Sequence, residues 1–537
     1  MSSSSRLSSA MARAISEINL QFLARIFTFI FNLIVVRYLS ADVLGVINVR
    51  LMLLFTTIQF ISREPVRRVC LSEAKSSPWP SLVNIMWSNS LFSLAIGYFF
   101  CGIWLNFVDK PDPSIGLDYD FAVKLIPIAV TIEMFSEPIF IHLYLNDQHG
   151  IRIRIELITL ILRCFGMAIF IANYPHKAIF IFSISLLISS IFLTLLYYIY
   201  GKKFIRSHSF SQFLPQKHAL DFSLIRLTSS FLGHTVVKQL ATEGERFIMT
   251  FFNPLTLAEQ GIFDLVSNLG ALPARLIFKP IEDSAYRSFS EIIDREKPSV
   301  KQRRDALELE SKLLKFSFLL GFAILVFGFN YSRLGLILYN SRILGSDIAL
   351  NLMRWHCLYD FVIAINGVTE SFTLAAMSRK SIDDSIGRLI LISVGYILSG
   401  ITLVTIMGAS GLILSNCFGM FFRIWSSLSY LSRWDPGYRF LLIVKRARPT
   451  NKVFLSFFFS FVLTRFSEHY LCCENGRNSF VHLIVGAIAF LLVLIVIAWN
   501  EPECSELLHN LSEKFPFLRF FGSKSKISKT KKQGKRE

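Results

Sequence analysis

The chain has 537 residues, of which 53% are hydrophobic and 52 are phenylalanine, and it carries a formal net charge of +18. A soluble fold has no interior large enough to hide this much apolar surface, so the composition excludes a soluble protein and indicates an integral membrane protein. The charge does not call for a nucleic-acid partner, because the basic residues fall between apolar runs, where they set topology and meet anionic headgroups.

A hydrocarbon core about 30 Å thick takes about 20 helical residues to cross, and apolar runs of that length predict an all-α polytopic membrane protein with about 14 transmembrane helices. Residues 1–16 form a cytosolic N-terminal segment. The run that follows holds Arg25 and Asn32 and lacks a small-residue cleavage site, so it is kept as the first span rather than taken as a signal peptide. An N-lobe at 17–200 contains spans 17–39, 43–62, 82–107, 121–145, 152–172 and 177–200. A polar cytosolic linker at 201–222 leads to a C-lobe at 223–431, with spans 223–252, 257–278, 312–330, 351–377, 386–407 and 410–431. A basic cytosolic linker at 432–452 then precedes a transmembrane hairpin, 453–472 and 480–499, and a basic cytosolic tail at 500–537.

With the N-terminus in the cytosol, roughly 38 Lys and Arg fall on inside segments and roughly 5 outside, which supports an even span count and two cytosolic termini. The two lobes also resemble each other. Leu39–Leu53 matches Leu255–Leu269, so that, at an offset of 217 or 216, Ala41 meets Ala258, Asp42 meets Glu259, Gly45 meets Gly261 and Asn48 meets Asp264. Because each half contains an even number of spans, the repeat is parallel, with its axis along the membrane normal. The architecture expected is two six-helix lobes around a central cavity, plus the C-terminal hairpin.

No catalytic signature stands out. The sequence lacks a P-loop, an HExxH pair and histidines at ligand spacing, so no metal site or cofactor is expected. Asp118-Tyr119-Asp120 has the DxD form of sugar-nucleotide enzymes, but its loop at 108–120 is too short to build a catalytic domain. The eight cysteines show no CxxC pair and are expected to be buried apolar side chains, with the vicinal Cys472 and Cys473 the one irregularity. Asn330-Tyr331-Ser332 forms a glycosylation triplet too near the membrane to be used.

Charges within the spans are the stronger signal, since an ionisable group at membrane depth faces a partner or a wet cavity. The candidate cavity residues are Arg25, Arg37, Arg50, Lys238, Glu243, Arg246, Asp264, Asn268, Arg275, Asn366, Glu370 and Arg423; Glu133 and Glu137 also lie within a span. Glu243 and Arg246 are three apart and can pair on one helix, and Asp264 can hydrogen-bond Asn268, so any single group can simply be neutralised. Pairing does not use up an excess of cations, and a cationic cavity suits an anionic headgroup such as a diphosphate. Arg63, Arg67 and Arg68, leaving the second span, form a candidate capture site for a lipid phosphate at the cytosolic leaflet.

Several strings carry a family resemblance: Gly45 to Leu51, Arg63-Glu64 with Arg67-Arg68, Thr242-Glu243-Gly244-Glu245-Arg246, Gln260-Gly261 with Asp264 and Asn268, Ala274 to Phe278, Ala364 to Glu370, and Asn416-Cys417. They resemble the Rft family of oligosaccharide-lipid translocation proteins of the endoplasmic reticulum, from about residue 17 to the final hairpin. Pro254 and Pro273 interrupt the second-half motifs and put the local helix geometry in question. The resemblance implies a fold similar to the multidrug, oligosaccharidyl-lipid and polysaccharide flippases. It implies transport rather than catalysis: moving dolichyl diphosphate bearing five mannoses and two N-acetylglucosamines between leaflets in N-glycosylation. The implied partners are that glycolipid, membrane lipids and N-glycosylation enzymes, with no nucleic acid. An accessory role in the same pathway, without movement of the lipid by this chain, fits the sequence equally.

Overall fold

The computed structural model describes residues 27–502, except 28–29, 32, 75, 117, 147, 205–209, 218–220, 296–297, 378, 435–447 and 474–475. Arg25, the N-terminal segment, the tail beyond 502 and most of the basic linker lie outside the described residues.

Every regular element among the described residues is helical. Positions 33–38 are helical and belong to the first expected span. The helices that follow are α1 Ala41–Ser72, α2 Trp79–Phe107, α3 Tyr119–Met134, α4 Glu137–Leu145, α5 His149–Asn173, α6 Ala178–Phe204 and α7 Phe222–Phe251. After them come α8 Leu257–Ile292, α9 Val300–Leu344, α10 Asp347–Ala376, α11 Arg379–Met407, α12 Ala409–Trp434, α13 Asn451–Leu471 and α14 Gly476–Asn500. By length and composition nine helices among the described residues can cross a membrane, or ten when the bent pair α3 and α4 counts as one. Helices α7, α12 and α13 occupy expected spans but fall outside that set. All three carry charges within their apolar runs, and Lys238, Glu243 and Arg246 of α7 and Arg423 of α12 belong to the polar clusters described below. This is a multi-pass all-α membrane protein.

The helix starts are legible in the side chains. Ser40 caps α1 by accepting from Val43 N at 3.4 Å. Thr256 and Glu259 form a reciprocal box at the start of α8, with Glu259 accepting from Thr256 N at 2.9 Å and Thr256 accepting from Glu259 N at 3.3 Å. Ser299 and Gln302 repeat the box on α9. At the start of α7, hydrogen bonds from the Ser223 hydroxyl and backbone hold the Asp221 carboxyl below its ordinary range, so this cap is charged at neutral pH.

Several helices are irregular. The first turns of α1 continue as a π-helical stretch at Gly45–Leu51, and α8 carries another at Ala274–Phe278, immediately after Pro273. A proline lacks the N–H that the preceding turn needs, and the wider turn re-pairs the carbonyls the proline leaves open. In α7 the backbone leaves helical values at Glu243 (φ −106°, ψ 16°), and α3 meets α4 at a 40° bend.

The described chain divides into two compact units. One comprises Met1–Ser267, Tyr339–Ala349 and Ser393–Ser415; the other comprises Asn268–Leu338, Leu350–Ile392 and Asn416–Glu537. In the first unit, an apolar core of Val66, Val69, Val83, Ile139, Ile141, Ile155 and Tyr197 includes Phe213 from the linker. The described part of that linker is held on α2: Trp87 Nε1 donates to Phe213 O at 2.8 Å, and Asn84 exchanges two hydrogen bonds with the Gln216 backbone at 3.0 and 2.8 Å. In the second unit the terminal hairpin is anchored by Val453, Phe457 and Val493 against Phe316, Leu319 and Val326. Asn330, the candidate glycosylation residue, is buried there and donates to Phe461 O at 3.2 Å and Thr464 Oγ1 at 2.8 Å. Cys70, Cys101, Cys357 and Cys417 are buried as expected, but Cys164 is only half-buried, and Cys472 and Cys473 are joined as a disulfide in the turn between α13 and α14.

Within the first unit the starts of α1 and α8 cross. A Cβ on Gly45 would overlap the Leu257 carbonyl oxygen, and a Cβ on Gly261 would overlap the Ala41 carbonyl oxygen. The contact is reciprocal, residue by residue, at a constant offset of 216, which also pairs the caps Ser40 and Thr256. It therefore fixes the register of the repeat at this point: Ala41 corresponds to Leu257 and Asp42 to Ala258, one position away from the pairing the residue types suggest.

Candidate functional site

Carboxylates gather where α3 breaks into α4. Ser136 turns its hydroxyl back to Glu133 O at 2.7 Å, and the bend leaves Glu133 and Glu137 buried side by side along the chain. Glu133 accepts from Gln59 at 2.5 Å, Arg63 at 2.8 Å and Ser190 at 3.1 Å. Glu137 takes a two-pronged grip from Arg67 at 2.7 and 2.8 Å and pairs with Arg63 Nε at 2.9 Å. The Arg67 guanidinium also lies 3.4 Å from the centre of the Phe140 ring. Arg63 and Arg67, expected to capture a headgroup, are thus each committed to buried carboxylates. Arg68 pairs instead with Glu64 at 2.9 Å, and Glu64 also takes Lys238 at 3.3 Å. Lys238 rests 5.2 Å from the Phe60 ring, and half of its side chain is exposed. These three groups hold two cations and one carboxylate.

The break in α7 positions the next cluster. Arg246 pairs with Glu243 at 2.9 Å and with Asp264 of α8 at 2.9 Å. One cation serves two carboxylates here, so the trio is net anionic. Next to the break, Gly244 lies against the Tyr396 ring, where an added Cβ would come within 3.1 Å. One turn earlier, Gln239 donates to Thr57 at 3.3 Å.

Arg50 lies in the π-helical stretch and is buried. It donates to the Asp109 carbonyl and, at 3.1 Å, to Asn253 Oδ1. Asn253 occupies the left-handed region (φ 44°) in the turn between α7 and α8, donates to Asp109 Oδ2 at 2.8 Å and accepts from Gln260 at 3.2 Å. Arg37 is exposed just before α1.

In the second unit, Glu370 accepts from Asn366 at 2.8 Å and from Arg423 at 2.7 Å. Asn366 Oδ1 and Arg423 Nε are buried and have no hydrogen-bond partner among the described residues. Gly367 faces Glu282, whose backbone carbonyl takes the Ser371 hydroxyl at 3.1 Å and whose carboxylate pairs with Lys279 at 2.8 Å. Asn268 and Arg275 are exposed on α8.

Sequence reasoning located most of the charges but not their partners. Glu133 and Glu137 stand about 70 residues from Arg63 and Arg67, whereas Glu243 with Arg246, and Glu64 with Arg68, lie at helical spacing. Asn253, Gln59 and Gln260 were not singled out, because their roles depend on contacts between segments distant in sequence or on a turn's geometry. No group of three or more His, Cys, Asp or Glu suited to a metal occurs among the described residues. What the clusters can do chemically is offer hydrogen bonds and charge to a polar group crossing the membrane.

A family model described as Rft-1, Rft protein, matches residues 9–511. A mouse protein described as Man(5)GlcNAc(2)-PP-dolichol translocation protein RFT1 is 34% identical over 98% of this chain and 99% of its own length. Its counterpart from Xenopus tropicalis is 31% identical over 95% of this chain and 98% of its own, and one from Dictyostelium discoideum is 26% identical over 94% and 98%. Among solved structures, the lipid II flippase MurJ in an inward closed conformation is similar in fold, with a TM-score of 0.63 over 90% of this chain and 98% of that one, at 14% identity.

Proposed function

The chain belongs to the Rft protein family, and from that premise we propose that it moves dolichyl-diphosphate-linked oligosaccharide, with five mannoses and two N-acetylglucosamines, from the cytosolic to the lumenal leaflet of the endoplasmic reticulum membrane. The observation that carries this reading is the near full-length match to relatives named for that translocation. The protein is a non-enzymatic transporter that works by alternating access, with both termini in the cytosol.

Charge balance ranks the contacts. A diphosphate is favoured beside the net cationic trio of Glu64, Arg68 and Lys238, whereas Arg246 is already engaged by Glu243 and Asp264. The spare acceptor of Asn366 and the spare donor of Arg423 suit sugar hydroxyls better than phosphate, because Glu370 already neutralises the arginine. In membranes depleted of this protein, the glycolipid headgroup should accumulate where an impermeant mannosidase added from the cytosolic side can trim it, and restoring the chain should lower that fraction. Unchanged trimming on restoration contradicts the proposal. A Lys238→Glu chain, present at the same level, should restore the membrane severalfold less well; full restoration would remove Lys238 from the route.

A further inference from the structure

The crossing of α1 and α8 has a consequence for the transport cycle. Helices packed through side chains are held well apart, whereas at Gly45 and Gly261 each backbone takes the space that a Cβ on the other would fill. The approach is isologous, since Gly45 meets Leu257 and Gly261 meets Ala41, its repeat equivalents. Next to it, Arg50 ties α1 to the Asn253 turn that precedes α8, and Asn253 ties that turn to Asp109, which follows α2. Three segments are therefore fastened at one end of the helices, the end at which α1 and α8 both begin.

We propose that the Gly45 and Gly261 crossing, with the Arg50, Asn253 and Asp109 hydrogen bonds beside it, is a lock that closes the protein toward the side on which Ser40 and Thr256 lie, and that it must part once per transport cycle. The inference rests on the transport reading above. The glycines suit a reversible contact. Backbone against backbone contributes close van der Waals contact without interdigitated side chains, so the helices can separate without repacking a core. The hydrogen bonds beside the crossing fix its register, and each has water as an alternative partner when the lock parts. Met249 of α7, fully buried in the same unit, should be shielded while the lock is shut.

The test uses the full chain in vesicles, with Met249→Cys as a reporter for a membrane-impermeant maleimide applied from the side bearing Ser40 and Thr256. Gly45→Leu and Gly261→Leu should each raise labelling severalfold above the reporter alone. Reciprocity makes two stronger demands: the two substitutions should act equally, and the double variant should label no more than either, since one crossing is already parted. If the leucine variants do not yield monodisperse protein, Gly45→Ala and Gly261→Ala report the same thing, because a Cβ alone already overlaps a carbonyl. Labelling that stays at the level of the reporter alone, or that responds to only one of the two glycines, overturns the lock. No glycolipid enters this readout, so its failure is separate from failure of the transport reading.

Discussion

Arg63, Arg67 and Arg246 show what a charge at membrane depth signifies in this molecule. The sequence presents an excess of cations in and beside the spans, and the structure assigns each of these three to buried or half-buried carboxylates. The charges were legible because lipid tolerates so few of them, whereas their pairing depends on packing between helices distant in sequence. The pairs act on stability. Removing one partner of a buried pair leaves the other charge uncompensated and costs about 3–5 kcal/mol. Glu137→Gln should therefore lower the unfolding midpoint of the purified protein markedly, since Arg63 and Arg67 both lose a carboxylate. Adding Arg67→Met to that variant should recover part of the loss, and a double variant no more stable than Glu137→Gln would show that the pair is not what holds α1 to α4.

At the scale of elements, length and apolar content pointed to helices, but α8 continues to Ile292 and α9 runs from Val300 to Leu344, beyond the spans 257–278 and 312–330, and the breaks within helices were not foreseen. Pro273 marked an irregularity, and the π-helical turn that follows it resolves the doubt about local geometry. Nothing in the sequence announced the departure at Glu243 or the π-helical stretch at Gly45–Leu51, because neither contains proline; at the first Glu243 pairs with Arg246, and at the second Arg50 reaches the Asn253 turn. The described part of the polar linker is held in place by its tryptophan and asparagine partners on α2, contacts that its composition does not announce. On α9, Asn330 is turned into the contact with α13, its amide already donating to a hydroxyl and a carbonyl. An endoglycosidase should therefore produce no mobility shift that depends on Asn330. A shift present in the parent chain and lost in Asn330→Gln would contradict the packing of the terminal hairpin.

At the scale of the whole molecule, the internal repeat was visible as a short string match, and the reciprocal contact of Gly45 and Gly261 gives that match a physical basis and a register. The all-helical membrane fold followed from composition and span length alone. The substrate did not, since clusters of paired charge and amide suit many polar headgroups, and its identity enters through the family. The central claim is that this chain itself carries the glycolipid across the membrane rather than assisting a protein that does. The direct measurement places the purified chain in vesicles containing dolichyl-diphosphate-linked oligosaccharide with five mannoses and two N-acetylglucosamines, and follows how fast headgroups in the inner leaflet become accessible to an impermeant mannosidase outside. Faster exposure than in protein-free vesicles is the predicted result; exposure at the protein-free rate, from protein shown to be folded, would contradict it.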